Sequence, residues 1–397
     1  MRRALVLLAG LTLLAAGGST AGAADQTWSR QATGWSNGPI EHRLTIPLEG
    51  TGVGGTIHEG FLYVSTFRSF SIYDVSDPAL PVLASHMPLG VQLINEGPQT
   101  NGEILLLNDD LTRTLHVWDV SNKALPLKLS QITVPTPSHI WTCVIDCAYA
   151  YGAGGGVVDL RDPAAPRFVR DWRQIAPIRI RHGMGPGAPG TVFTGSLPQY
   201  VLDVEDPEAP EVLATIEPPT TFFQGSLGCG ESPVSYVDWP RGGRDRVALA
   251  TLETPFSGGC DETSGGLVSY DTAGWKGRRT FRVADVFRIT ETGDPSQGLV
   301  PENAVGCSAL GLDAHPAFSK GGAVAVGWAE NGVRLFTVDM KGRITEAGGF
   351  MTDGTESFMP IWADAETLYS IDTARGIDIF HVEVDELAPS KRARGPG

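Results

Sequence analysis

The stretch that decides the fold is IYDVSDPALP, residues 72 to 81. It sets an aspartate inside a β-branched and aromatic run, then closes with Asp-Pro and a second proline. Val, Ile and Tyr suit a pleated, half-buried surface, and Asp-Pro opens a turn whose φ the proline pre-sets. The pattern returns as VWDVSNKALP (117 to 126), VVDLRDPAAP (157 to 166) and VLDVEDPEAP (201 to 210). Taken singly, Asp74 and Asp77 read as a cation or acid/base site. Repetition favours a scaffold turn, because a catalytic pair needs one special environment and a repeat needs the same turn each time.

The acid that follows each apolar strand marks the period. Asp74, Asp119, Asp159, Asp203, Asp271, Asp339 and Glu383 lie 45, 40, 44, 68, 68 and 44 residues apart, so two units carry insertions. In the first unit FLYVSTF, SFSIYDV and PVLASHM read as strands, and helical spacing is not sustained beyond the first residues. Units of this length with room for about four strands predict an all-β, seven-bladed β-propeller. The last unit stops after GIDIFHVEVDELAP without an outer strand, while HRLTIPL (42 to 48) precedes the first unit unpaired. That N-terminal strand is expected to complete the last blade and close the ring, removing an exposed sheet edge.

The unit I/V-x-D-V/L-x-D-P-x-x-P resembles the LVIVD repeat of secreted bacterial seven-bladed propellers. The first, third and fourth units match closely, the second has Asn-Lys for Asp-Pro, and the last three keep the strand and the acid. The resemblance implies the propeller fold and a binding or surface role. It implies no catalytic residue.

Residues 1–24 carry Arg2 and Arg3, a short apolar run and small residues ending in Ala23-Ala24, the pattern of a secretory signal peptide. The expected division is a leader over 1–24, a flexible segment over 25–40, the propeller over 41–388 and a basic, disordered tail over 389–397. No later run is apolar enough to span a bilayer after cleavage. The net charge of −15 argues against nucleic-acid binding, which needs a positive surface. Five cysteines in an extracytoplasmic chain point to disulfides, Cys143 with Cys147 and Cys229 with Cys260, leaving Cys307 over.

Three histidines stand eight or nine residues before a following strand: His139, His182 and His315. At equivalent blade positions they would line one mouth of the channel and could hold a divalent metal, the one cofactor the residues suggest. Six arginines between Arg161 and Arg181 form a positive zone, with Arg179 and Arg181 as candidate contacts for an anionic ligand. The insertions carry Phe222, Phe223 and Trp239, aromatic anchors for a protein or glycan. No G-x-S-x-G, P-loop, dinucleotide or HExxH motif occurs. The expected function is a secreted, monomeric, non-enzymatic binding or scaffold protein at the cell exterior. The alternative is a metal-dependent hydrolase or lactonase working at the histidine-lined mouth.

Overall fold

The computed structural model describes residues 29–31, 34–90, 96–178, 183–187, 189–195, 198–216, 235–237, 247–253, 265–272, 279–289, 308–316 and 322–387. The fold is all-β and propeller-like. After β1 (Ser29–Gln31), β2 (Gly34–Asn37) and β3 (Ile40–Ile46), the chain runs in antiparallel four-strand sets. The first set is β4–β7 (Gly52–His58, Phe61–Thr66, Ser69–Asp74, Val82–Pro88), and the second is β8–β11 (Gln99–Thr100, Ile104–Asp109, Thr114–Asp119, Leu127–Thr133). The third is β12–β15 (Trp141–Val144, Tyr149–Gly152, Gly156–Asp159, Arg167–Asp171), and the fourth is β16–β19 (Met184–Pro186, Thr191–Thr194, Gln199–Asp203, Glu211–Ile216). The fifth is β20–β23 (Ser235–Val237, Val247–Leu252, Gly266–Asp271, Thr280–Phe287), and the sixth is β24–β27 (Leu312–Ala314, Ala323–Gly327, Val333–Val338, Ile344–Met351). In the last, β28–β30 (Ser357–Trp362, Thr367–Asp372, Gly376–Val382) are followed across the sheet by β3, which pairs antiparallel with β30 from Ile40↔Val382 to Ile46↔Ile377. A four-residue helix, α1 (Val384–Leu387), follows β30.

FLYVSTF, SFSIYDV and PVLASHM form the second, third and fourth strands of their set. The strand ahead of them, GVGGTIH, has three glycines among its seven residues, which dilutes the β signature of Val53, Thr56 and Ile57. The glycines are there because first strands of neighbouring sets almost touch: a Cβ on Gly54 would lie 2.1 Å from the Glu96 carbonyl oxygen. First strands neighbour one another in order, β4 with β8, β8 with β12, β12 with β16, β16 with β20, β20 with β24, β24 with β28, and β28 with β4.

The core lies between sets. Tyr63, Phe70 and Ile72 of the first pack on Leu105, Leu107 and Trp118 of the second. Leu62, Val64 and Tyr73 pack on Tyr369, Ile371 and Ile379 of the last. Third and fourth strands slip register by one residue at matching places, between Ile72 and Tyr73, Val117 and Trp118, Val157 and Val158, and Val201 and Leu202. Such a bulge raises the local twist of the outer strand.

The acids of the repeated turn are structural. Asp74 accepts from the Ser76 N–H at 2.9 Å and the Ser76 hydroxyl at 2.6 Å, and Asp77 accepts from the Ala79 N–H at 3.1 Å. Asp119, Asp159 and Asp203 likewise accept from the N–H two residues on. In the second set Asn122 does the work of Asp77, accepting from Ala124 N–H at 3.1 Å. The same turns join the sets. The carbonyls of Pro78, Lys123, Pro163 and Pro207, one residue after the turn's Asp or Asn, each accept a hydroxyl from the preceding set at 2.6 Å. The donors are Tyr369, Ser85, Ser130 and Tyr151.

Two outer edges are covered by the chain itself. β2 falls within the segment 25–40 expected to be flexible; it pairs with β27 and buries Trp35 to 2% exposure. β19 pairs in parallel with β23, joining the fourth and fifth sets into one eight-stranded sheet. No helix among the described residues is long and apolar enough to cross a membrane.

Candidate functional site

The first strands, or the residues leading into them, surround a cavity of about 260 Å³. Gly55 and Thr56 come from the first set, Glu96 and Gln99 from the second, Ile140 from the third and Met184 from the fourth. Leu310, Leu312 and Asp313 come from the sixth set, and Phe358 and Met359 from the last. The walls are apolar with a few placed polar groups, the composition of a small-molecule site.

Asp313 sits on β24. One carboxylate oxygen accepts from the Trp362 N–H at 2.8 Å. The side chain is half-buried by area because the cavity reaches it, but it lies deep in the protein. That desolvation pushes its carboxyl up to about 7, against the lesser pull of the Trp362 and Ala314 N–H groups. Asp313 therefore changes charge near neutral pH.

Glu96 belongs to a second arrangement. His139, two residues ahead of β12, has Nε2 at 2.6 Å from Glu96 Oε1 and Nδ1 at 3.2 Å from Asp110 Oδ2. Burial lowers its affinity for a proton, but the charge of Glu96, the hydrogen bonds from both acids and the charge of Asp110 outweigh that and raise it to about 10. Both ring nitrogens donate, so His139 is an imidazolium. A metal ligand must be neutral with a lone pair free, and here each lone pair is replaced by an N–H aimed at an acid.

His315 is placed differently. It follows β24, whereas His139 precedes β12, so the two stand at opposite ends of the first strands of their sets. Its Nε2 lies 2.9 Å from the Ala365 carbonyl and its ring meets the edge of Trp362. The equal spacing to the second strand hid this, because the hairpin between first and second strands is longer in the sixth set. His182 lies outside the described residues. Among the described residues no three His, Cys, Asp or Glu side chains are gathered as a metal would need.

The arginine zone is taken up internally where it is described. Arg161 and Arg167 both bind Asp159, at 2.6 and 2.7 Å, and Arg161 also reaches Glu208 of the next set at 3.1 Å. Arg173 binds Asp171 through both carboxylate oxygens. In sequence only Asp162 and Asp171 stood against these arginines; the structure adds Asp159, at the end of β14, and Glu208, which lies 47 residues beyond Arg161. Arg179 and Arg181 lie outside the described residues, as do Phe222, Phe223, Trp239, Cys229, Cys260 and Cys307. Cys143 and Cys147 are disulfide-bonded, with Cα atoms 4.4 Å apart. The bridge closes the hairpin from β12 to β13, where Ile145, Asp146 and Cys147 all take positive φ.

Glu96 and Asp313 were missed in sequence because they lie ahead of or within short first strands, QT and LDA, that carry little hydrophobic pattern, and Asp110, just after β9, because its partner His139 is 29 residues on. A signal existed: the eight-to-nine-residue spacing that picked out the histidines also marks where a first strand lies.

No family model matches the chain, and no curated protein does. Among solved structures it is similar to the Kuenenia stuttgartiensis hydrazine synthase, at 12% identity over 86% of this chain and 98% of that one, with a TM-score of 0.53. It is also similar to the computationally designed Ika8 protein, at 10% identity over 86% and 99% of the two chains, with a TM-score of 0.48. At 12% identity the likeness to hydrazine synthase concerns the fold alone.

Proposed function

We propose that this chain is a secreted, seven-bladed β-propeller of the LVIVD-repeat kind, closed by residues 40–46 on 376–382. In this reading it acts as a non-enzymatic binding protein at the cell exterior, with its ligand in the cavity on the propeller axis. The observation that carries the reading is the cavity itself, to which the first strands of six sets contribute. The neighbour order of the first strands, returning from β28 to β4, supports the ring. The Cys143–Cys147 bridge supports an oxidising compartment.

Binding is favoured over hydrolysis by one geometric fact. Among the described residues, His139, which contacts the cavity residue Glu96, is held as an imidazolium between two carboxylates, which removes it as a general base and as a metal ligand. Replacing Thr56 by Phe fills the cavity from β4. Fragments that bind the wild-type protein in saturation-transfer NMR are expected to lose binding to T56F; retention of all of them would refute the site. A crystal structure with six or eight blades, or with 40–46 detached from 376–382, would sink the architecture.

A further inference from the structure

We propose that the outer edges of the first two sets form a docking face for a second copy of this chain. The inference stands apart from the cavity, which lies against the strands at the opposite edge of each sheet. Leu80, Val82 and Leu83 of the first set and Leu125, Leu127 and Leu129 of the second are exposed, from 37% at Leu129 to 64% at Val82. The two groups adjoin: the Ser85 hydroxyl, two residues past Leu83, donates to the Lys123 carbonyl, two residues before Leu125, at 2.6 Å. Where the first two sets have Leu80 and Val82 or Leu125 and Leu127, the third has Ala165 and Arg167 and the fourth has Ala209 and Glu211. The repeated turn therefore does not account for the exposed aliphatic residues.

Other outer edges are protected within the chain, as an edge strand requires. β27 carries β2, β19 and β23 cover each other, and β3 and β15 present charge, Glu41 with Arg43 and Arg167 with Asp159. β7 (VLASHMP) and β11 (LKLSQIT) end the hydrogen-bonding order of their sheets, with no further strand paired to them among the described residues. They contain no acid and one formal charge, Lys128. In the second set Asn122 also replaces the turn acid that the first, third and fourth sets keep. Charge and area both favour a second copy as the occupant. Two chains of net charge −15 repel one another, so they meet best where acids are fewest. Six aliphatic side chains exposed to this degree present on the order of 500 Å², at the upper end of the largest patch on a typical monomer. A standard interface takes about 800 Å² from each partner, so the strip supplies the apolar centre and its polar borders the rim. A two-fold axis would set the strip of one copy against the same strip of the other.

Sedimentation velocity of the purified protein over a range of concentrations is expected to show a monomer–dimer equilibrium. Leu127→Glu places one acid on each side of the shared face and should weaken the dimer at least about a hundredfold, tenfold for each buried, unpaired charge. Leu83→Glu, on the neighbouring strand, should act alike; both positions are exposed, and unchanged melting temperatures show that the variants are folded. Ala209→Glu, which adds the same charge at the fourth set's counterpart of Leu80, should leave the dimer as it is. A protein that stays monomeric up to about 100 µM overturns the proposal. It does so whether hydroxyl-radical footprinting finds the six side chains open, as on a face kept for a different partner, or protected, as under another part of this chain. A dimer untouched by Leu127→Glu and Leu83→Glu, or weakened equally by Ala209→Glu, overturns it as well, because the contact then does not depend on this face.

Discussion

The Tyr369 hydroxyl donates to the Pro78 carbonyl across 2.6 Å, tying the second strand of the last set to the turn of the first. The partners are 291 residues apart in sequence, and Tyr151 makes the same bond to Pro207 in the middle of the chain. Tyr369→Phe is expected to cost about 1 kcal/mol, the net worth of one such bond. Tyr151→Phe should cost a similar amount. Urea unfolding of the two variants checks this, and an unchanged midpoint for both would count against the joint.

A second long-range contact has a larger predicted effect. Asp378 on β30 is 2% exposed and accepts from His42 at 2.9 Å, from Arg375 at 2.8 Å and from Thr45, all next to the pairing of β3 with β30. Burial alone would raise its carboxyl, but these three donors and the charge of Arg375 bring it below the ordinary value. Its stabilisation is therefore present above the unfolded value near 3.8 and fades as pH falls through the depressed folded value. Asp378→Asn is expected to lose roughly 3 kcal/mol at pH 7 by orphaning buried partners. Thermal melts of both proteins from pH 2.5 to 7 should converge at the acid end.

Asp313 gives the opposite sign. Its carboxyl is raised from 3.8 to about 7, so the fold holds a proton there that the unfolded chain has given up. Stability from this group is whole below 3.8, falls between there and 7, and stays low above. Asp313→Asn should stabilise the protein at pH 8 by roughly 3 kcal/mol and leave it unchanged at pH 3.5. Destabilisation at pH 8 would contradict the assignment.

For His139 the raised value, about 10 against 6.5, places the gain below 6.5 and its loss on the climb through 10. Long-range ¹H–¹⁵N correlation spectra at pH 8 should show both its ring nitrogens protonated. A neutral ring at pH 8 would reopen its use as a metal ligand.

Gly54→Ala should be severely destabilising, by more than about 3 kcal/mol, because its Cβ would meet the Glu96 carbonyl oxygen at 2.1 Å. Gly90, with nothing within 4 Å of an added Cβ, should accept alanine with little change. Chemical denaturation of the pair measures the difference.

How far the sequence could be read follows from which strands announce themselves. IYDV and its copies carry β-branched and aromatic residues that are buried on both faces, so the third strands and their turns stood out, and Asp74 and Asp77 were placed correctly as turn acids. First strands such as GVGGTIH and LDA pack backbone against backbone, and that demand selects glycine and short segments over hydrophobic pattern. The cavity residues Glu96 and Asp313 went unseen for this reason. His139 was found by spacing, but its partners were not, because Glu96 and Asp110 lie 43 and 29 residues away from it. His315 shared the spacing without sharing the position, since hairpin length is invisible to a count made from the following strand.

The joints between sets have a consequence for how such a chain can vary. Their acceptor is a peptide carbonyl, which every residue type supplies, and the second set shows lysine at the position where its neighbours have proline. Mutational drift at that position leaves the seam intact, whereas the donor on the preceding unit must keep its hydroxyl. A duplicated or transplanted unit would thus fit a new neighbour whenever that neighbour brings a tyrosine or serine to the edge.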